Sequence, residues 1–361
     1  MNILIIVGTR PNFIKVTQFK RVVNEQNLGI NLKIVHTGQH YDEKMANIFF
    51  DQFELRPDYF LKIEPASPVK QMAAIMVSLE DLIDNTFKPD LMIVPGDVNS
   101  TLAAALVANK KDIKLAHLES GLRSFDKKMP EEWNRLLVDE LADYYFVTEN
   151  SGIKYLEQEN KKGSMFFVGN TMIDTMVGFE AQIQQSQILE QLRINSDFAL
   201  LTLHRPSNVD SEEGVRTMMN LLSYLNDKIT VVFPIHPRTR ARISAFGFDQ
   251  EFSKLSNIIL SEPLGYFDFQ KLIATSKMVL TDSGGIQEET TFRGVPCLTL
   301  RENTERPSTI EEGTNTLVPF EFNILQKYID QILEGTYKTG SVPELWDGKA
   351  TERILKHIVE L

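Results

Sequence analysis

Short apolar runs alternate with longer, helix-spaced segments along almost the whole chain, and that rhythm restricts the possible folds more than any single motif does. In the first half the runs cover residues 3–7, 32–35, 91–94, 113–116, 144–147 and 165–168. In the second half they cover 198–203, 229–233, 258–260, 278–280 and 295–300. A strand apolar on both faces needs cover on both, and the intervening helices provide it. The pattern therefore predicts an α/β protein built on doubly wound parallel sheets. At 361 residues the chain exceeds what one hydrophobic core usually serves, so two such domains are expected. A Gln-rich but helix-spaced stretch, 181–189, marks the junction. We place one Rossmann-like domain at 1–172 and a second at 173–347. The spacing of Ile354, Ile358 and Leu361 predicts a last helix, within 348–361, that packs back across the junction and joins the first domain.

The charge balance narrows the partners. A formal net charge of −11 with no Lys/Arg block argues against nucleic acid or an anionic membrane as the main partner. A small phosphorylated ligand needs only a few placed cations and stays compatible. Cys297 is the only cysteine, lies in an apolar run, and reads as a buried strand residue. The apolar start, residues 1–7, is too short for a membrane span and lacks a basic flank, so it reads as a first strand of a cytoplasmic protein.

Two doubly wound domains facing each other set the carboxyl ends of both sheets across one cleft, where such folds bind ligands. Chemistry is therefore sought directly after each strand. The run at 278–280 leads into Thr281-Asp-Ser-Gly-Gly-Ile-Gln-Glu-Glu289. There Ser283, Gly284 and Gly285 read as a tight turn opening a helix, where backbone N–H groups and the helix dipole favour an anion. Glu289, about one turn further on, is in reach of a ribose hydroxyl. Taken alone, the Gly-Gly pair fits a structural turn equally well. After the first strand, Gly8-Thr-Arg-Pro-Asn-Phe-Ile-Lys15 puts the cations Arg10 and Lys15 near a helix start. This is not a dinucleotide fingerprint, so no nicotinamide cofactor is expected.

Two successive strands end in acids, Asp97 and Glu119, and Glu131 follows at a further helix start. A lone acid there is usually a cap worth about 1 kcal/mol. Clustered carboxylates instead raise one another's pKa values, which suits acid/base work. No H-E-x-x-H or Cys/His spacing supports a metal. In the second half, His204-Arg205 and His236 with Arg238 each follow a strand, and with the Ser-Gly-Gly turn they form a candidate diphosphate site. Arg306 is a further candidate for phosphate or ribose, or else a surface ion pair.

Gly8-Thr-Arg-Pro11, Thr37-Gly-Gln-His40, Gly96-Asp97, Glu119-x-Gly-Leu-Arg123, Pro130-Glu-Glu132, His204-Arg205, the 281–289 stretch and Thr304-Glu-Arg-Pro307 occur in that order. Together they resemble the non-hydrolysing UDP-N-acetylglucosamine 2-epimerases over nearly the whole chain. The resemblance implies two Rossmann-like domains flanking a cleft, as in GT-B glycosyltransferases, and a homodimer. It further implies catalytic roles for Asp97, Glu119, Glu131 and His204. Contacts to the UDP part are implied for Arg10, Lys15, Phe269, Ser283, Gly284, Gly285, Glu289 and Arg306, with Phe269 beside the uracil. Without the resemblance, Phe269 reads as a helix core residue. Members that respond allosterically to substrate use residues around Gln39-His40. Pro206-Ser207 departs from the charged residues many members carry, which leaves the sugar substituents open.

Inverting C2 of such a sugar breaks a C–H bond that no adjacent carbonyl acidifies. The expected route is elimination of UDP from C1 as a base takes the C2 proton, then re-addition after protonation on the other face. This needs two acid/base groups on opposite faces and strong stabilisation of the departing diphosphate. The readings left open are a hydrolysing epimerase, a GT-B glycosyltransferase and a non-enzymatic nucleotide-sugar sensor. The implied setting is a surface or capsular polysaccharide precursor route.

Overall fold

The structure, a computed structural model, describes residues 1–39 and 50–361; His40 of the Thr37-Gly-Gln-His motif lies outside them. The chain forms two compact units, one of Met1–Gly178 with Glu344–Leu361 and one of Phe179–Pro343. Each is an α/β unit on a wholly parallel sheet. In the first, β1 (Asn2–Val7), β2 (Asn31–His36), β3 (Tyr59–Phe60), β4 (Leu91–Pro95), β5 (Lys114–Leu118), β6 (Tyr144–Val147) and β7 (Ser164–Phe167) lie in the order β3-β2-β1-β4-β5-β6-β7. The second holds β8 (Phe198–Thr202), β9 (Thr230–Pro234), β10 (Ile258–Ser261), β11 (Met278–Thr281), β12 (Cys297–Thr299) and β13 (Asn315–Leu317), ordered β10-β9-β8-β11-β12-β13. This is the doubly wound order, twice.

The apolar runs are the central strands. Residues 3–7, 92–94 and 278–280 are fully or almost fully buried, because helices cover both faces of each sheet. Two strands have no apolar signature. β3 is a two-residue edge strand, and β13 is polar, with buried Asn315 accepting from Thr299 Oγ1 at 2.6 Å. Cys297 is buried in β12, and burial pushes its thiol up to about 11.

The chain returns to the first unit at Glu344. Buried Trp346 donates its indole N–H to Thr148 O at 2.9 Å. Asp174 caps the last helix, Ala350–Val359, accepting from Ala350 N at 3.0 Å and Thr351 N at 2.5 Å. That helix packs on those at Phe19–Glu25 and Thr171–Gly178. Among the described residues no helix is long and apolar enough to cross a membrane.

Candidate active site

In a doubly wound sheet, ligands bind beyond the carboxyl ends of the strands where the order reverses. Those strands are β1 and β4 in the first unit and β8 and β11 in the second. The segments leaving them are Gly8–Lys15, Gly96–Asp97, His204–Arg205 and Asp282–Gly285. Arg10, Lys15 and Asp97 thus lie at the switch point of the first unit, and His204, Ser283, Gly284 and Gly285 at that of the second.

In the first unit Lys15 is buried and donates to Glu119 Oε2 at 2.5 Å. Glu119 leaves β5 with φ +68°, a left-handed conformation that costs a non-glycine residue roughly 1–2 kcal/mol. Its amide donates to Phe146 O at 3.1 Å, which holds the strained residue in place. Strain at a buried acid is a mark of functional sites. Glu119 Oε1 is buried with no hydrogen-bond partner among the described residues. Gly96 adopts φ +65°, and a Cβ there would lie 2.9 Å from Lys15 Nζ and 3.6 Å from Glu119 Oε2. Only glycine lets the loop bearing Asp97 run against the Lys15–Glu119 pair.

Arg135 ties the third acid's helix to this cluster. From the helix Pro130–Leu141 it donates to Asp97 Oδ2 and to Glu132 Oε2, both at 2.6 Å, while Asn134 donates to Asp97 O at 2.8 Å. Buried Glu132 also accepts from Ser124 N at 2.9 Å and Phe125 N at 2.9 Å. Of the two successive acids, Glu132 is taken up by structure. Glu131 is half-buried. Arg10 is exposed at the start of its helix. Gly8 has a packing duty: a Cβ there would come within 2.3 Å of Ser100 Oγ, in the helix Asn99–Lys110.

Beneath the acids lies a polar network absent from the sequence reading. His117 Nε2 donates to Gly96 O at 2.9 Å, and its Nδ1 lies 2.6 Å from Asp139 Oδ1. Arg123 and the Gly121 amide reach the other Asp139 oxygen at 2.7 and 3.1 Å. Burial would raise the Asp139 carboxyl, but His117 and Arg123 outweigh it and hold the group below the usual range. The network fixes the backbone at Gly96, just before Asp97, and at Gly121, just after Glu119.

In the second unit Asp282, fully buried after β11, organises the turn after the neighbouring β8. Its Oδ2 accepts from the amides of His204 and Arg205 at 2.9 and 2.8 Å, and its Oδ1 lies 2.9 Å from His204 Nδ1. Burial raises the Asp282 carboxyl, yet His204 and the two amides outweigh it and keep it low. The His204 side chain is 43% exposed. His236 has its ring centroid 5.6 Å from that of His204 and accepts from Arg238 N at 3.1 Å. Burial, then repulsion from His204 and Arg238, lowers its pKa.

Ser283 N is taken by Thr281 Oγ1 at 3.0 Å, so the open end of the helix Gly285–Arg293 falls to Gly284 and Gly285. A Cβ on Gly284 would meet Glu305 Oε1 at 3.0 Å and Arg306 Nη1 at 3.3 Å. Buried Arg306 pairs with Glu288 at 2.7 Å and with Glu305, which makes it a buried cation rather than a surface one. Burial drives the Glu289 carboxyl up to about 8, with Glu288 adding to the shift. Phe269, on the neighbouring helix Tyr266–Thr275, is half-buried against a core cluster that includes Ile286. Among the described residues no group of three or more His, Cys, Asp or Glu side chains could hold a metal ion.

Comparison with known proteins shows the family and the fold. A profile of the family described as UDP-N-acetylglucosamine 2-epimerase matches residues 22–359. The UDP-N-acetylglucosamine 2-epimerase of Methanocaldococcus jannaschii is 38% identical, over 99% of this chain and 98% of its own. The UDP-2,3-diacetamido-2,3-dideoxy-D-glucuronate 2-epimerase of Pseudomonas aeruginosa is 36% identical over 100% of both chains. The crystal structure of the M. jannaschii enzyme in complex with UDP-GlcNAc and UDP covers 100% of both chains, at 36% identity and a TM-score of 0.89.

Proposed function

The chain belongs to the UDP-N-acetylglucosamine 2-epimerase family, and from that premise we propose that it interconverts UDP-N-acetylglucosamine and UDP-N-acetylmannosamine without net hydrolysis. The observation that carries the reading is the division of labour between the switch points. One gathers Asp97, Lys15 and Glu119 with the helix of Glu131; the other gathers His204, His236, buried arginines and an open helix end.

In the proposed reaction a carboxylate takes the C2 proton and the C–H pair becomes the C1–C2 double bond. The C1–O bond breaks with its electrons on the β-phosphate of UDP. A second acid then delivers a proton to the other face of C2, and the same phosphate oxygen adds back to C1. Asp97, Glu119 and Glu131 handle the protons. Glu119 is suited because Lys15 occupies one carboxylate oxygen and leaves Oε1 unpartnered. His204, oriented by Asp282, serves the diphosphate or its proton. Arg10, Lys15 and Arg306 offset its charge, His236, Ser283, Gly284 and Gly285 donate hydrogen bonds to it, Phe269 packs beside the uracil, and Glu289 meets the ribose. Burial favours the neutral form of Glu289 at neutral pH, so it can donate a hydrogen bond there. We assign the enzyme to the cytoplasm as a homodimer.

A second substrate is favoured by one observation: the P. aeruginosa relative, named for a 2,3-diacetamido uronate, is nearly as similar as the M. jannaschii one. The test is proton NMR of the protein with each UDP-sugar in D2O. Both epimers should carry deuterium at C2, and the preferred sugar should turn over fastest. An epimer free of solvent deuterium would overturn the elimination route. Stoichiometric release of UDP would point to the hydrolysing reaction.

A further inference from the structure

Arg301 follows β12, and its side chain is buried, 6% of the residue remaining exposed. Its Nη2 donates to Glu305 Oε2 at 3.2 Å and more weakly to Asn303 Oδ1 at 3.4 Å. Its Nη1 is buried with no hydrogen-bond partner among the described residues. That nitrogen lies 3.5 Å from where a Cβ on Gly284 would stand, so it is aimed at the N-cap of the helix Gly285–Arg293. No side chain caps that helix. A buried cationic donor and the positive end of a nine-residue helix therefore converge on one spot.

The cations around the spot crowd one another. Burial foremost, and repulsion from Arg205 and Arg306, pull the Arg301 pKa below the ordinary guanidinium value despite Glu305. Glu305 is shared between Arg301 and Arg306, and Glu288 pairs with Arg306. Leaving a buried charged donor unsatisfied is costly, and a ligand anion offsets that cost.

We propose that Arg301 is a diphosphate-binding residue, adding a fork-shaped donor to the cradle at Gly284 and Gly285 and reading the extra charge of a diphosphate. This rests on the reading of the second unit as a UDP site. One arm of the guanidinium is pinned on Glu305 while Nη1 meets a phosphate oxygen. A lysine cannot hold both partners in one plane.

Calorimetric titration of the full-length protein with UDP, UMP and uridine tests the proposal. A charge-assisted hydrogen bond is worth roughly a 10- to 100-fold change in affinity. Arg301→Gln should weaken UDP by about that factor, weaken UMP less, and leave uridine unchanged. Arg301→Lys should fall between, and it decides the question alone if thermal melting finds Arg301→Gln unfolded. An unchanged UDP-to-UMP affinity ratio in a folded variant overturns the proposal, as does an equal loss for uridine. Failure of the unmodified protein to bind any of the three overturns the UDP reading itself, and the role of Arg301 with it.

Discussion

Glu289 illustrates how burial changes what a residue can do. A carboxyl in water titrates near 4.3, whereas burial between helices pushes this one up to about 8. The folded protein therefore holds a proton that the unfolded chain releases across that interval. Stability from this group is full below about 4 and falls as pH rises toward 8, by on the order of a few kcal/mol. Glu289→Gln should remove that dependence. The difference in melting temperature, variant minus unmodified, should climb between pH 4.5 and pH 8.5; a flat difference would falsify the assignment. At this scale the sequence was legible in part. The acids after β4 and β5 and the Ser-Gly-Gly turn stood out as chemistry, but their partners did not. Asp282 lies inside the motif that attracted notice, yet its hold on His204 depends on β11 pairing on one side with β8, a strand distant from it in sequence. Arg135, His117 and Arg301 escaped for the same reason. The Glu132–Arg135 spacing was the one local signal, being a helical i,i+3 pair.

At the scale of elements, strand-to-helix turns carry the site, and Gly96 is where geometry and chemistry meet. Gly96→Ala puts a Cβ in the left-handed region, at a cost of roughly 1–2 kcal/mol. It also pushes the flexible end of Lys15 away from Glu119. The fold should survive, with epimerisation slowed at least about tenfold, a loss of roughly 1.4 kcal/mol in the barrier. Circular dichroism with kinetics on the same sample reads both. Activity falling only in step with the folded fraction would refute the special placement of Lys15. The strands were legible where both faces are apolar. They were not at β3, which is too short for a pattern, or at β13, where polar side chains are satisfied by neighbours from other elements.

For the whole molecule, the proposed homodimer needs a face to pair on, and exposed apolar side chains of two helices offer one. Val69 and Val77, 78% and 60% exposed, share one face of the helix Pro68–Asn85. Trp133 and Leu137, each 46% exposed, are one turn apart on the helix Pro130–Leu141, and the helix Asn99–Lys110 neighbours both. Such side chains grouped on one layer are what a partner covers. Light scattering should therefore give twice the 41.2 kDa chain mass, and Val77→Glu should shift the particle toward a monomer. A monomeric unmodified protein overturns the dimer, and a Val77→Glu variant that stays dimeric overturns this face. The sequence by itself determined the class of fold, the doubling of the parallel sheet and the strand ends where chemistry lies, because burial on two faces leaves a periodic imprint on the chain. Tertiary structure alone decided which side chains pair, which acids are spent on structure, and which buried donor is left for a ligand. Those outcomes follow from strand order and close packing, which bring together residues that no local pattern connects.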